Sequence, residues 1–232
     1  MGSSGTLAIN PSLYSRLGYH PVRDFAPVIH VGSSPHLIAV HPSLAANTVK
    51  EFIAYATAHP RKLNYGTVPE SASHLVAALF LHMACIEVVD ILYKGAALGT
   101  ANLITGQVQL RFGSVPSTMP IVRSGKINAL AVTGSVRLTQ FPEIPTIAES
   151  GLKGYEASVF FGVVAPAGTP REIVQRLNGA IAGVMQGPKF RELMWANDFE
   201  PVPASPDAFA ALIERETAKW TEIMRISDAR AD

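Results

Sequence analysis

The chain has one cysteine in 232 residues, Cys85, which leaves no partner for an intramolecular disulfide and no thiolate cage for a metal. Cys85 ends the apolar run LVAALFLHMAC and is expected to be a buried, inert thiol. Charge of either sign is not in excess: 19 basic residues stand against 18 acidic ones, giving a net charge of +1. There is no basic block of the kind that nucleic acid or an anionic membrane would attract. Long apolar runs are also missing. The longest stretch without Asp, Glu, Lys or Arg, from Phe25 to Val49, holds Pro27, Pro35, Pro42, three histidines and several serines, so it cannot be one membrane-spanning helix. No fixed-period repeat and no low-complexity segment is present.

The common catalytic signatures are absent as well. GxGxxG, a Walker loop, GxSxG and HExxH do not occur. Of the seven histidines, only His36 and His41 are close in sequence, and their spacing fits no standard metal pair. The central acidic residues Glu70, Glu87, Asp90, Glu143 and Glu149 fall in different elements and suggest no acid/base pair. Neither a metal nor a cofactor is expected.

What is present is alternation. APVIHVGSS and HLIAVHPS read as two buried strands separated by Gly-Ser-Ser-Pro. TVKEFIAYATAHP reads as a helix, with Thr48 as N-cap, Glu51 at the capping-box position, Pro60 as the stop, and Val49, Phe52, Ile53 and Ala56 on one face. Strands KLNYGTV, EVVDILY, QVQLRFGS and INALAVTGS then alternate with helices SASHLVAALFLHMA, TANLITG and VPSTMPIVRSG. A proline-punctuated loop leads to the strand VFFGVVAPAGTP and a helical tail, whose first helix is expected to have Thr169 as N-cap and Pro170 at its first position. This order predicts an α/β fold, with an open parallel or mixed sheet and helices on both faces.

The informative loops are GTVPESASH, YKGAALGT and FGSVPS, each leading from a strand into a helix. In open α/β sheets ligands bind at such carboxyl ends, where helix N-termini favour anions and Ser71, Ser73, Thr100 and Ser114 can add hydroxyl donors. Ordinary helix capping gives the same pattern. Lys94 reads either as an anion partner or as a solvated lysine.

The segments GTLAINPSLY, PVRDFAPV, LNYG…SHL, YKGAA, GQVQ, GKINALAVTG, PEIPTIAESGLKGYEAS and FFGVVAPAGTP occur in that order. Together they resemble the tripartite tricarboxylate transporter substrate-binding receptors, or Bug-type receptors, along essentially the whole chain. The resemblance implies a two-domain periplasmic-binding-protein fold of type II with Rossmann-like open sheets. Domain one would comprise residues 1–34 and 159–232, domain two residues 35–158, with hinge strands near 32–36 and 158–164. It implies a binding protein, not an enzyme, that captures a small carboxylate in an interdomain cleft and hands it to membrane transporter subunits. The expected ligand-binding residues are Thr67, Ser71, Ser73, His74, Tyr93, Gly95, Ala96 and Ser114 from domain two, Ser3, Ser4 and Thr6 from domain one, and Phe160 or Phe161 as an apolar wall. Departures from the family pattern bear on which ligand is taken. They are the short loop Gly66–Ser73 with VPES, Leu98 and Asn102 where Pro and Asp are usual, Gly113-Ser114 in place of an acidic or amide pair, and Phe where Trp is common in Phe160-Phe161.

In the family, a segment like Gly2–Thr6 follows a strand inside domain one, so these residues read as part of the fold and the chain reads as amino-terminally truncated. The family location is periplasmic; with no signal peptide at its start, the chain as written is expected to stay cytoplasmic. The lost upstream units are expected to leave Leu7, Ile9, Val28, Ile29 and the face of Ile173, Leu177 and Ile181 exposed, to favour self-association and to weaken binding. The rival readings are a remnant without binding and a carboxylate-processing enzyme. For the enzyme, only the adjacent pair Ser73-His74 is on offer, and adjacent helical side chains diverge by about 100°.

Overall fold

The computed structural model describes residues 1–14, 16–69, 71–197 and 199–227. Its contacts divide the chain into two compact units, Met1–Ser34 with Val159–Asp232, and Pro35–Ser158.

The unit of Pro35–Ser158 is built on a mixed sheet. Strand β2 (Phe25–Val40) contributes its second half, which pairs antiparallel with β5 (Leu110–Ser114) and with β6 (Asn128–Val132). Strand β3 (Asn64–Thr67) runs parallel to both β5 and β4 (Val89–Leu92). Helices cover both faces. Tyr65 and Phe112 point to α3 (Ala72–Ala84), where Phe80 lies 5.6 Å from Phe112, and beyond it Phe52 of α2 (Val49–Ala58) lies 6.1 Å from Phe80. On the opposite face Ala39 packs with Leu103 of α4 (Ala96–Ile104), and Leu37 packs with Val115 and Met119 of α5 (Val115–Arg123). The α/β reading therefore holds.

Helix α2 starts as its sequence predicts. Thr48 Oγ1 accepts a hydrogen bond from Glu51 N at 3.1 Å, and Glu51 Oε2 accepts one from Asn47 N at 2.7 Å, one residue before the usual capping-box donor.

The other unit pairs the short β1 (Gly2–Ser3) antiparallel with β7 (Ser158–Pro166), which adjoins β2. The first half of β2 also pairs with β8 (Glu200–Pro201). After β1 a π-helical segment, Gly5–Ile9, runs into α1 (Asn10–Leu13) and packs on α8 (Pro206–Ser227). Val28 and Ile29 are buried with Ala165 of β7 and with Val174 and Met185 of α6 (Arg171–Met185), and α7 (Pro188–Ala196) follows. His30 stacks on Phe209 of α8 at 5.8 Å, with Phe160 edge-on to both rings.

Five expectations are corrected. APVIHVGSS and HLIAVHPS form one 16-residue strand, β2. Its partners change from β8 at Gly32–Ser33 to β5 at His36, so Pro35, which has no N–H to donate, falls where the ladder changes hands. Helix α4 begins at Ala96, four residues before the expected TANLITG, because Ala96, Ala97 and Leu98 are strong helix formers. Pro170 is the N-cap of α6 and not its first residue, while Thr169 Oγ1 donates to the Pro166 carbonyl at 2.7 Å. Cys85 is exposed: it is the C-cap of α3, at φ +52°, where the chain turns out of the apolar run. Leu7, Ile9, Val28 and Ile29 are buried rather than exposed and Ile181 is half-buried, whereas Ile173 and Leu177 on the α6 face are exposed as expected.

Candidate functional site

Because β4, β3 and β5 are parallel neighbours, their carboxyl ends lie along one edge of the sheet. Each of these ends leads into a helix start. Thr67 closes β3 and precedes α3, Leu92 closes β4 and precedes α4, and Ser114 closes β5 and is itself the N-cap of α5. The three loops singled out by sequence are thus brought to one edge, where helix dipoles and orphan N–H groups favour an anion.

The α3 loop is tightly tied. Ser71 is the N-cap: its Oγ accepts from His74 N at 3.3 Å and donates to the Val68 carbonyl at 2.7 Å. Ser73 Oγ lies 2.9 Å from Ser71 Oγ. The buried Tyr65 hydroxyl bonds the Ser73 carbonyl at 3.0 Å and lies 2.9 Å from Thr67 Oγ1. Burial pushes the Tyr65 phenol well up, so it stays a neutral donor. His74 Nε2 stands 3.9 Å from Asp90 Oδ2. Burial raises the Asp90 carboxyl, and the facing His74 ring pulls it part of the way back. Ser73 thus turns to Ser71 and His74 to Asp90, which is not the geometry of a serine nucleophile with its base.

The α4 loop is open. Gly95 is the N-cap, extended at φ −170°, and offers no side chain to the helix start. Ala96, Ala97 and Lys94 are exposed, so the first N–H groups of α4 are flanked by small side chains and one solvated cation. The Tyr93 ring sits over Gly66 and Gly99, and its hydroxyl accepts from Asn102 Nδ2 at 2.6 Å. In the α5 loop, Ser114 Oγ is 2.7 Å from Ser117 Oγ and makes no cap to the helix backbone.

The remaining expected residues belong to the other unit. Ser3 N donates to Thr6 Oγ1 at 2.9 Å, closing a local turn in which Ser4 is buried and Thr6 exposed. Phe160 is buried in the core against Phe209 and His30, whereas Phe161 is half-exposed with Phe199 5.2 Å away. Of the two aromatics, only Phe161 has ring surface to offer a ligand.

Arg111 was not among the expected residues. It lies on β5 opposite Ala39, is 7% exposed, and its Nη1 meets no protein acceptor among the described residues. The tip of the side chain sits against Gly99, where an added Cβ would collide with Nη1. The sequence signal was a single basic residue inside the strand QVQLRF, paired with a glycine in the first turn of the neighbouring helix.

Among the described residues no cluster of His, Cys, Asp and Glu could hold a metal ion, and no helix is long and apolar enough to cross a membrane.

Comparison with known proteins places the chain in a family. The chain matches the tripartite tricarboxylate transporter family receptor description over residues 1–228. It is 32% identical to protein BugT of Bordetella pertussis over 229 residues, covering 98% of this chain and 70% of that protein. Among solved structures it is similar to R. palustris Rpa4515 with adipate, at 35% identity and a TM-score of 0.79, covering 99% of this chain and 77% of that one. It is also similar to the periplasmic binding protein BugD, at 30% identity and a TM-score of 0.75, covering 98% of this chain and 77% of that one. The chain belongs to the tripartite tricarboxylate transporter receptor family.

Proposed function

We propose that the chain is a solute receptor that captures a small carboxylate at the strand-end loops of Pro35–Ser158 and delivers it to a membrane transporter. The observation that carries the reading is the uncapped start of α4 at Gly95–Ala96, on the same sheet edge as the Ser71 and Ser73 hydroxyls. Backbone N–H groups and hydroxyls are neutral donors; they can hold a carboxylate without the desolvation cost of a charged clamp. The binding set in this reading is Thr67, Ser71, Ser73, His74, Tyr93, Gly95, Ala96 and Ser114. Residues 32–36 and 158–164 serve as the hinge strands that connect the two units. The adipate named with Rpa4515 supports a ligand of this class. The work is capture and release, not turnover.

Isothermal titration calorimetry of the 232-residue chain against small mono- and dicarboxylates tests the reading. One-to-one, saturable binding of at least one of them is the expected result. No heat and no thermal stabilisation with any of them would support the non-binding alternative.

A further inference from the structure

Helix α6 carries a second apolar stripe besides the one it buries. Its inner face, Val174, Ile181 and Met185, packs on Val28 and Ile29 of β2 and on Val163 and Ala165 of β7, so the helix lies over both strands. Ile173, Leu177 and Val184 are 48%, 40% and 65% exposed, and Ala180 is exposed among them. At 100° per residue these four fall within about 60° of one another. No charged residue interrupts the row. Single apolar side chains on a surface are ordinary, but a contiguous row marks a contact face.

The fold puts this row at one side of its unit. The opposite flank of α6 faces the segment that follows β8. There Asn178 Nδ2 donates to the Ala204 carbonyl at 3.0 Å, and Arg171 and Gln175 line a groove with Ser205, Pro206 and Asp207. That segment lies beyond β2, on the side away from β7. The apolar row therefore overhangs the outer edge of β7. Strand β1 covers this edge only at Phe161 and Gly162, and no described strand pairs with residues 163–166 there.

We propose that α6 is the centre of a symmetric interface with a second copy of this chain, in which two α6 helices pack antiparallel across a two-fold axis. The row is self-complementary. With the axis near residue 175, Ile173 meets the partner's Leu177, and Leu177 meets the partner's Ile173. The flanking charges fit the same arrangement. Glu172 and Arg176 lie on the solvent side of the row and form no ion pair among the described residues. Across the axis Glu172 comes within about 3 Å, along the helices, of the partner's Arg176, at 1.5 Å per residue. Symmetry repeats the pair, so opposite charges meet twice beside an uncharged row. Spacing agrees as well: because α6 straddles β7 and β2, two β7 edges at ladder distance set the helix axes about 10 Å apart, a normal packing separation. This charge match and spacing favour a second copy over a partner of unrelated sequence.

One helix and a short strand edge per copy make a small interface, so a reversible dimer with a dissociation constant of roughly 10–100 μM is expected. Sedimentation equilibrium of the full chain from about 1 μM to about 1 mM tests it. The average mass is expected to climb from the 24.8 kDa of one chain towards twice that value. Leu177→Glu is expected to weaken dimerisation by about 30-fold or more, since it sets two carboxylates against apolar side chains near the axis. Glu172→Arg and Arg176→Glu are each expected to weaken it by about three- to tenfold, and the double exchange to return to within about threefold of wild type.

A chain that stays monomeric over the whole range would overturn the inference and leave the row to a partner of another kind. A dimer that Leu177→Glu leaves intact would overturn it too, as would charge exchanges that fail to rescue each other. All three substituted positions are exposed in the single chain; should Leu177→Glu nevertheless fail to fold, the charge exchanges decide the matter. Carboxylate titration of the wild-type chain reads the receptor function separately, so either reading can fail alone.

Discussion

The hydroxyl of Tyr65 bonds the backbone carbonyl of Ser73 at 3.0 Å, tying the middle of strand β3 to the first turn of α3. That bond fixes where the α3 N-terminus sits along the sheet edge. Tyr65→Phe removes it and takes one donor from the half-buried Ser73 carbonyl. The expected cost is about 1–2 kcal/mol of stability by urea denaturation, with weaker carboxylate binding. Binding unchanged at reduced stability would show that the α3 start does not touch the ligand.

Two helix caps provide a matched pair. Thr48 and Ser71 each accept a hydrogen bond from the residue three positions on, at 3.1 and 3.3 Å. Replacing either with Ala is expected to cost about 1 kcal/mol. Only Ser71→Ala is expected also to weaken carboxylate binding, since Thr48 starts a helix away from the candidate loops. Thermal melts with and without ligand separate the two effects.

Glycine 162 sits where β7 passes under α8. A Cβ there would collide with the Phe209 ring and come within 2.7 Å of the Ile29 carbonyl. Gly162→Ala is expected to destabilise by roughly 1–3 kcal/mol through overpacking. Phe160→Ala, which empties a site in the same aromatic cluster, is expected to cost about 3–5 kcal/mol, and Phe161→Ala, half-exposed, clearly less. Equal losses for the two phenylalanines would contradict the assignment of Phe160 to the core.

His36 makes stability depend on pH. Burial, with the Arg111 charge adding to it, holds the imidazole down to about 4. In the unfolded chain the same group protonates near pH 6.5. Between these values the unfolded chain takes up a proton that the folded chain refuses, so stability is fully present above about pH 6.5 and falls as pH drops towards 4. The loss is on the order of 3 kcal/mol over that window. The buried His30 is also shifted down by burial and acts in the same direction. His36→Gln is expected to flatten the decline in Tm between about pH 7 and pH 4; an unchanged slope would mean that other groups carry it.

Local rules were readable where local physics decides the outcome. Thr48, Glu51 and the spacing of Val49, Phe52 and Ala56 mark α2 completely, and the strand-helix alternation with its polar loops marks the sheet edge. Tertiary context decided the rest. Pro35 looked like a break, but it falls between the two sets of partners of β2, where its missing N–H costs nothing. Cys85 looked buried because its run is apolar, yet the αL turn that ends α3 carries it to the surface. Phe160 and Phe161 are indistinguishable in sequence, and strand alternation sends one to the core and the other outward. Arg111 stayed hidden because what sets it apart, burial against Gly99 with no protein acceptor for Nη1 among the described residues, is decided by packing.

The central claim is that a small carboxylate binds at the strand-end loops of Pro35–Ser158. A crystal structure of the chain with adipate tests it most directly. The account predicts a carboxylate oxygen within about 3.2 Å of an N–H or hydroxyl of residues 71–74 or 93–97. Adipate seated with both carboxylates beyond hydrogen-bond reach of both loops would contradict it.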